Sequence, residues 1–167
     1  MAAFIPQEDD PLTPFPGFNF HVDARVGGVN GGKLLCRGAF AEVSGLEAIM
    51  EPKVIKVGGR NYGAVQRAGP VTFATVVLKR GVSSARDLWA WWALFSGGDG
   101  AATGKSAARH RATVIVSLIR GREAVLSWRL ENAMPVKFKA GDLNARGTEI
   151  AIEELHLAHE GLKTEAL

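Results

Sequence analysis

The stretch Val71–Gly98, VTFATVVLKRGVSSARDLWAWWALFSGG, decides how the rest of the chain is read. Val71–Lys79 is β-branched and aromatic with no breaker, which predicts one strand. Gly81 marks a turn. Ser84 is placed to cap a helix, and Asp87 stands three residues on, in capping-box position, where an acid also suits the helix dipole. The predicted helix, about residues 84–96, carries Leu88, Trp91, Trp92 and Phe95 at three- and four-residue spacing, and Trp89 widens that face. Ser96-Gly97-Gly98 ends it. Three of the four tryptophans sit in this one element, so it should cover a sheet and plug a core. Leu88, Trp89, Trp91, Trp92 and Phe95 are candidate core-packing residues. The alternative is an aromatic face turned toward a partner subunit, and one helix can do both.

At 167 residues the chain fits one domain and can bury a sizeable core. Hydrophobic residues make up 47% and charged residues 22%, ordinary for a globular domain. The longest apolar run, Leu88–Phe95, is too short to span a bilayer. The opening MAAFIPQEDDP has neither a basic region nor an apolar core, which argues against a secretion signal. The single cysteine, Cys36, excludes an internal disulfide, fits assembly in a reducing cytoplasm, and reads as a small buried hydrophobe. Net charge is +3, but residues 101–140 hold eight basic residues against two acids, whereas 141–167 lean acidic. Such a basic stretch can serve nucleic acid. No aromatic residues interleave it as a stacking platform requires, which favours solvated strand positions and charge pairing between subunits.

Residues 1–16 contain four of the seven prolines and form an extended N-terminal arm; 17–167 form the domain. Phe18, Phe20, Val22 and Ala24 alternate with polar residues as a half-buried strand, in which His21 lies on the polar side. Asn30-Gly31 favours a hairpin turn into a returning strand, Leu34–Val43. Ser44–Pro70 is the least regular segment, with a short strand suggested at Pro52–Val57 and turn chemistry around Tyr62; such a segment is mobile or functional. Arg111–Arg120 is apolar on both faces and therefore central or covered on both sides. Ala124–Glu131 places Ala124, Leu126, Trp128 and Leu130 inward and Ser127, Arg129 and Glu131 outward. Pro135–Ala140 repeats this, with Val136 and Phe138 against Lys137 and Lys139. Thr148–Leu162 is divided: its composition favours helix, while Ile150/Ile152 and Leu155/Leu157 alternate out of phase, which a bulge at Glu153-Glu154 would reconcile.

Apparent chemical motifs weaken on inspection. GDGAATGKS lacks the first glycine of a phosphate-binding loop at the required position and leads from a helix into a strand, the reverse of the needed context. His156 and His159 have no third ligand at motif spacing. Glu153 and Glu154 are adjacent rather than opposed across a cleft. No nucleophile has a local partner. The residues make no positive case for an enzyme, a metal or a cofactor.

Three segments occur in order: AFAEVSGLEAIMEP (Ala39–Pro52), VTFATVVLKRGVSSARDLWAWW (Val71–Trp92) and TEIAIEELHLAHEGL (Thr148–Leu162). Together they resemble the inner tube proteins of contractile phage tails and of phage-tail-like extracellular contractile injection systems, over about Pro14–Leu162. The resemblance implies a mainly β fold, two packed antiparallel sheets forming a barrel-like domain with one external helix. It implies hexameric rings stacked into a hollow tube inside a contractile sheath, with baseplate and terminator proteins at the ends and cargo or effector in the lumen, in a particle built in the cytoplasm. It assigns the C-terminal stretch to strand. It makes Ser44–Pro70 and the N-terminal arm contacts to neighbouring subunits or the next ring, with Glu47, Glu51, Lys53, Arg60, Asn61 and Tyr62 as candidate ring-stacking residues. Ser127, Arg129, Glu131, Lys137 and Lys139, the polar sides of the cleanest strands, become candidate lumen-facing residues. The alternative is a stand-alone β-barrel module that binds nucleic acid through its basic 101–140 surface.

Overall fold

The computed structural model describes residues 14–27, 32–97 and 110–166. Most of the N-terminal arm, the Asn30-Gly31 turn and the GDGAATGKS loop lie outside them. The elements are β1 (Phe20–Val26), β2 (Lys33–Gly38), β3 (Glu42–Ser44), β4 (Ala48–Met50), β5 (Lys53–Ile55), β6 (Val65–Arg67), β7 (Val71–Phe73), β8 (Val76–Gly81), α1 (Asp87–Ser96), β9 (Ala112–Arg120), β10 (Glu123–Lys139), β11 (Ile152–Ala158) and β12 (Gly161–Ala166).

Strand β10 organises the domain. Its first part lies between β9 and β12 in a half ordered β2-β1-β9-β10-β12; its last part pairs with β11 in a half ordered β10-β11-β8-β3. Every pairing is antiparallel. The predicted segments Ala124–Glu131 and Pro135–Ala140 are thus one strand. Register shifts near Asn132 and Val136 let it pass from one half to the other. Asn132 takes a φ of 52°, a left-handed conformation that Asn tolerates better than most residues. The second shift turns Val136 out to water, against its expected inward place.

The halves share one core. Val22, Ala24, Val114, Val116 and Leu130 from the first meet Val76, Leu78, Leu155 and Leu157 from the second, with Leu88 and Trp91 of α1 and Phe40 between them. β9 is central, as its composition predicts. Cys36 belongs to this core, and desolvation pushes its thiol up to about 12.

Two predicted strands are each split between partners. Leu34–Val43 becomes β2, paired with β1, and β3, paired with β8. Val71–Lys79 becomes β7 and β8, because β7 pairs with β4 while β8 enters the core. At that junction Gly45 approaches Thr75 so closely, at a φ of 83°, that a Cβ would lie 2.2 Å from the Thr75 carbonyl oxygen. Phe18 precedes β1 and stands 84% exposed rather than half-buried.

The C-terminal stretch is strand, against its helical composition. No bulge occurs at Glu153-Glu154, since β11 keeps register with β8 from Ile152 to Leu157. Glu153 itself shares the inward phase of Leu155 and Leu157 and is buried. The apparent change of phase comes from an acid in a core position.

Candidate functional surfaces

Helix α1 begins at Asp87, and its N-cap is Arg86, which makes no side-chain cap; the expected Ser84 cap is absent. The reason lies in Asp87. Its carboxylate accepts from Arg80 Nη1 and Nη2 at 3.1 and 2.6 Å, so it ties the helix to β8 instead of closing a capping box. Arg80 also donates from Nε and Nη2 to Glu153 Oε1 at 3.0 and 2.7 Å. Its guanidinium lies 5.6 Å from the Phe40 ring centre. One buried cation therefore joins β8, β11 and α1. Its hydrogen bonds to Asp87 hold the guanidinium more firmly protonated than usual, with those to Glu153 adding to this against the opposing effect of burial. Sequence reading missed this cluster; its signal was the one acid in phase with Leu155 and Leu157.

The helix ends at Gly97, whose φ of 75° and N–H bond to the Ala93 carbonyl form a left-handed cap. Leu88 and Trp91 are buried, and Trp92 and Phe95 pack against the core, as the spacing predicts. Trp89 is different. It is 40% exposed, with its ring edge against Phe138 at 5.3 Å. Leu94 is exposed on another side of the helix.

The predicted irregular segment is an ordered two-stranded ribbon. β4 pairs with β7 and β5 with β6, closed by a turn that carries Tyr62. Glu47, Glu51, Lys53, Arg60, Asn61 and Tyr62 all lie exposed along it. So do Ile49, Met50, Val54, Val57 and Val71, which sequence reading passed over. Tyr62, at 95% exposure, touches almost nothing of its own chain.

The five candidate lumen residues fall on two different faces. Strand alternation gives Ser127, Arg129 and Glu131 to the outer face of the five-stranded half. Arg129 pairs with Glu165, and Lys163 with Glu131 at 2.6 Å. Ser127, expected to be wet, is 2% exposed. It is short, it lies mid-sheet between Ser117 and Glu165, and the Arg129–Glu165 pair crosses beside it. Lys137 and Lys139 lie on the outer face of the four-stranded half, with Glu154, His156, Lys79 and Glu42. There Lys79 pairs with Glu42 at 3.0 Å, and His156 Nε2 lies 3.2 Å from Glu154. The His156 hydrogen bond, with Lys139 and Lys79 nearby, holds the Glu154 carboxyl below its usual value. Halves packed on a common core turn their outer faces away from each other, so a single lumen can take only one of them.

Three cations of the basic stretch have acidic partners within the chain. Arg111 bonds Glu160, Arg129 bonds Glu165, and Lys139 bonds Asp142 at 3.0 Å. His159 Nδ1 lies 3.0 Å from the Gly161 carbonyl oxygen and its ring stacks near Phe73, apart from His156. Among the described residues no three His, Cys, Asp or Glu side chains converge as metal ligands, and no helix is long and apolar enough to cross a membrane.

Comparison with curated protein sequences gives no match. Solved structures do match. A chain in the six-fold-symmetrised cryo-EM structure of the anti-feeding prophage (AFP) baseplate superposes with a TM-score of 0.74 at 26% identity, over 92% of this chain and 97% of that one. A chain of the PVC extracellular contractile injection system, in the extended sheath–tube complex, gives 0.73 at 19% identity over 94% and 95%. An Hcp protein shares the fold at a TM-score of 0.52 and 12% identity, over 89% and 99%. Residues 16–163 match the T4-like virus tail tube protein gp19 family, and the chain belongs to that family.

Proposed function

We propose that this tail tube protein forms six-membered rings that stack into a hollow tube, with the ribbon of β4–β7 reaching the next ring and one polar outer face lining the lumen. The carrying observation is the likeness, over nearly the full length of both chains, to the AFP baseplate chain, whose structure is six-fold symmetrised. The PVC match is to part of a sheath–tube complex, which supports a sheath around this tube as well. Baseplate and terminator proteins at the ends and cargo in the lumen complete the reading. The role is mechanical: a conduit of fixed bore.

The geometry supports stacking through the ribbon. A two-stranded ribbon is marginal by itself, and this one exposes Ile49, Met50, Val54 and Val71 to water. Packing them against another copy removes that exposure. A cyclic interface closes a ring, whereas a second interface along the axis stays open and builds a filament. Charges balanced by opposite charges, such as Lys79 with Glu42, give a water-filled bore little net attraction for cargo of either sign.

Negative-stain electron microscopy of the purified chain at low and high concentration tests the reading. The expected result is six-fold rings at low concentration and hollow filaments at high concentration. A uniform monomer at both, with no assembly on addition of preformed tube ends, would overturn it.

A further inference from the structure

The outer face of the four-stranded half is balanced in charge, and one side chain can break the balance. From β10 to β3 its rows read Lys139, Glu154, Lys79, Glu42 and Lys137, His156, Val77, Ser44. Lys79 faces Glu42 at 3.0 Å, Lys139 faces Asp142 of the adjoining loop at 3.0 Å, and His156 Nε2 lies 3.2 Å from Glu154. Lys137 is exposed, stands directly opposite His156, and has no ion-pair partner among the described residues. While His156 is neutral, Lys79, Lys137 and Lys139 are matched by Glu42, Glu154 and Asp142. A proton on His156 leaves the face with a net positive charge.

We propose that Lys137 and His156 form an acid-gated site for a carboxylate-rich polypeptide segment, which this face takes up when His156 carries a proton and releases when it does not. This rests on the reading above that one polar outer face meets cargo, and it names the cargo and the condition for this face. Opposed residues of an antiparallel pair have Cβ atoms about 4.5–5.5 Å apart, so an ammonium and an imidazolium here can converge on one carboxylate. With Nε2–H donated to Glu154, the added proton lies on Nδ1, which turns from acceptor to donor. Histidine side chains make that change between about pH 5 and pH 8. Glu154 stays charged throughout, because the His156 hydrogen bond, with Lys139 and Lys79 nearby, holds its carboxyl below the usual value. The imidazole therefore keeps its anchor in both states.

The charged groups around His156 are Lys137 and Lys139 on β10, Glu154 on its own strand, Lys79 on β8 and Glu42 on β3, with Val77 directly opposite on β8. The second lysine of β10 sets the ligand. Lys137 and Lys139 lie roughly 6.8 Å apart along the strand, the repeat at which an extended peptide presents alternate side chains. An acidic segment laid along β10 therefore meets Lys137 with one carboxylate and Lys139 with the next on that side. The rows hold no Phe, Tyr or Trp on which nucleic-acid bases could stack. The outer face of the five-stranded half has no such gate. Its Arg129 and Lys163 are paired with Glu165 and Glu131, and its histidine, His21, lies opposite Ser117 rather than a cation.

The test is fluorescence anisotropy of a labelled octa-aspartate peptide with the full chain at about pH 5.5 and about pH 8, at one ionic strength. Aspartate stays ionised over this span. The expected result is about tenfold tighter binding at the lower pH, the effect of one added charge-assisted hydrogen bond. His156→Gln, which can still donate to Glu154, should remove the pH dependence. Lys137→Ala should weaken binding at the lower pH, and His21→Gln should behave as the native chain. Equal affinity at the two pH values, or a pH dependence that survives in His156→Gln, would overturn the site. An acid-dependent gain confined to a labelled oligothymidine would overturn the ligand class. Negative stain of the same samples separates this from the ring. Rings that bind no peptide keep the ring and remove the site; acid-dependent binding by a chain that forms no rings keeps the site and removes its place in a lumen.

Discussion

The four-stranded half and the β4–β7 ribbon use the same vocabulary of Val, Ile and Leu with Lys and Glu between, yet they end in opposite states. Val76, Leu78, Leu155 and Leu157 are fully buried, while Ile49, Met50, Val54 and Val71 stay 44–56% exposed. The difference is a second layer. The strands of the body lie under a helix and another sheet half, and each large apolar side chain so buried contributes roughly 1.5–3 kcal/mol. The ribbon has only its own two strands. Body residues therefore govern folding, and ribbon residues govern what the folded chain can touch.

The largest expected effect strikes the body. Arg80→Met leaves Glu153 buried and Asp87 half-buried without their cation and should cost about 3–5 kcal/mol of stability, read by urea denaturation. Changing Glu153→Leu and Asp87→Asn as well should recover most of that loss. A cost under about 1 kcal/mol for Arg80→Met would mean that the cluster does not hold α1 to the sheets.

The ribbon should respond in the opposite way. Ile49→Ser, Val54→Ser and Tyr62→Ala combined should shift stability by only about 0.5 kcal/mol per site, as exposed substitutions do. The same variant should keep its rings in negative stain and lose long filaments. If denaturation shifted as much as for Arg80→Met, the contrast between the two regions would collapse.

The smallest effect sharpens the comparison at the corner where β10 leaves β9. Bonds from Asn132 and then Arg111 hold the Glu160 carboxyl below its ordinary value of 4.5. A carboxylate depressed in the folded state stabilises the fold above its unfolded pKa, and that contribution fades as pH falls through the lower folded value. Glu160→Gln should therefore flatten the acid limb of the stability profile below about pH 4.5. An unchanged acid limb would exclude Glu160 as a stabilising contact.

Much of this was legible in the sequence, and the failures share a cause. Alternation found β1 and both parts of β10, a run apolar on both faces found β9, and three- and four-residue spacing found the buried side of α1. The strand Val71–Lys79 was read as one because nothing in its composition marks where it changes partners; that point is set by Gly45 meeting the Thr75 backbone. A bulge was placed at Glu153-Glu154 because an acid rarely holds a core position, and only Arg80, 73 residues away, makes the burial of Glu153 tolerable. Ser127 shows the converse, a polar residue on the outward side that neighbouring charged side chains cover. The ribbon looked irregular because its strands are three residues long and stabilised only by each other. Local pattern revealed the elements, and long-range pairing decided which residues face water.

The most direct test of the account is a helical cryo-electron microscopy reconstruction of filaments assembled from the purified chain. The account predicts six chains per ring, one polar outer face toward the axis, and the ribbon of each chain, with Tyr62, inserted against the adjoining ring. A tube with another number of chains per ring, or with the ribbon folded back on its own ring, would contradict it.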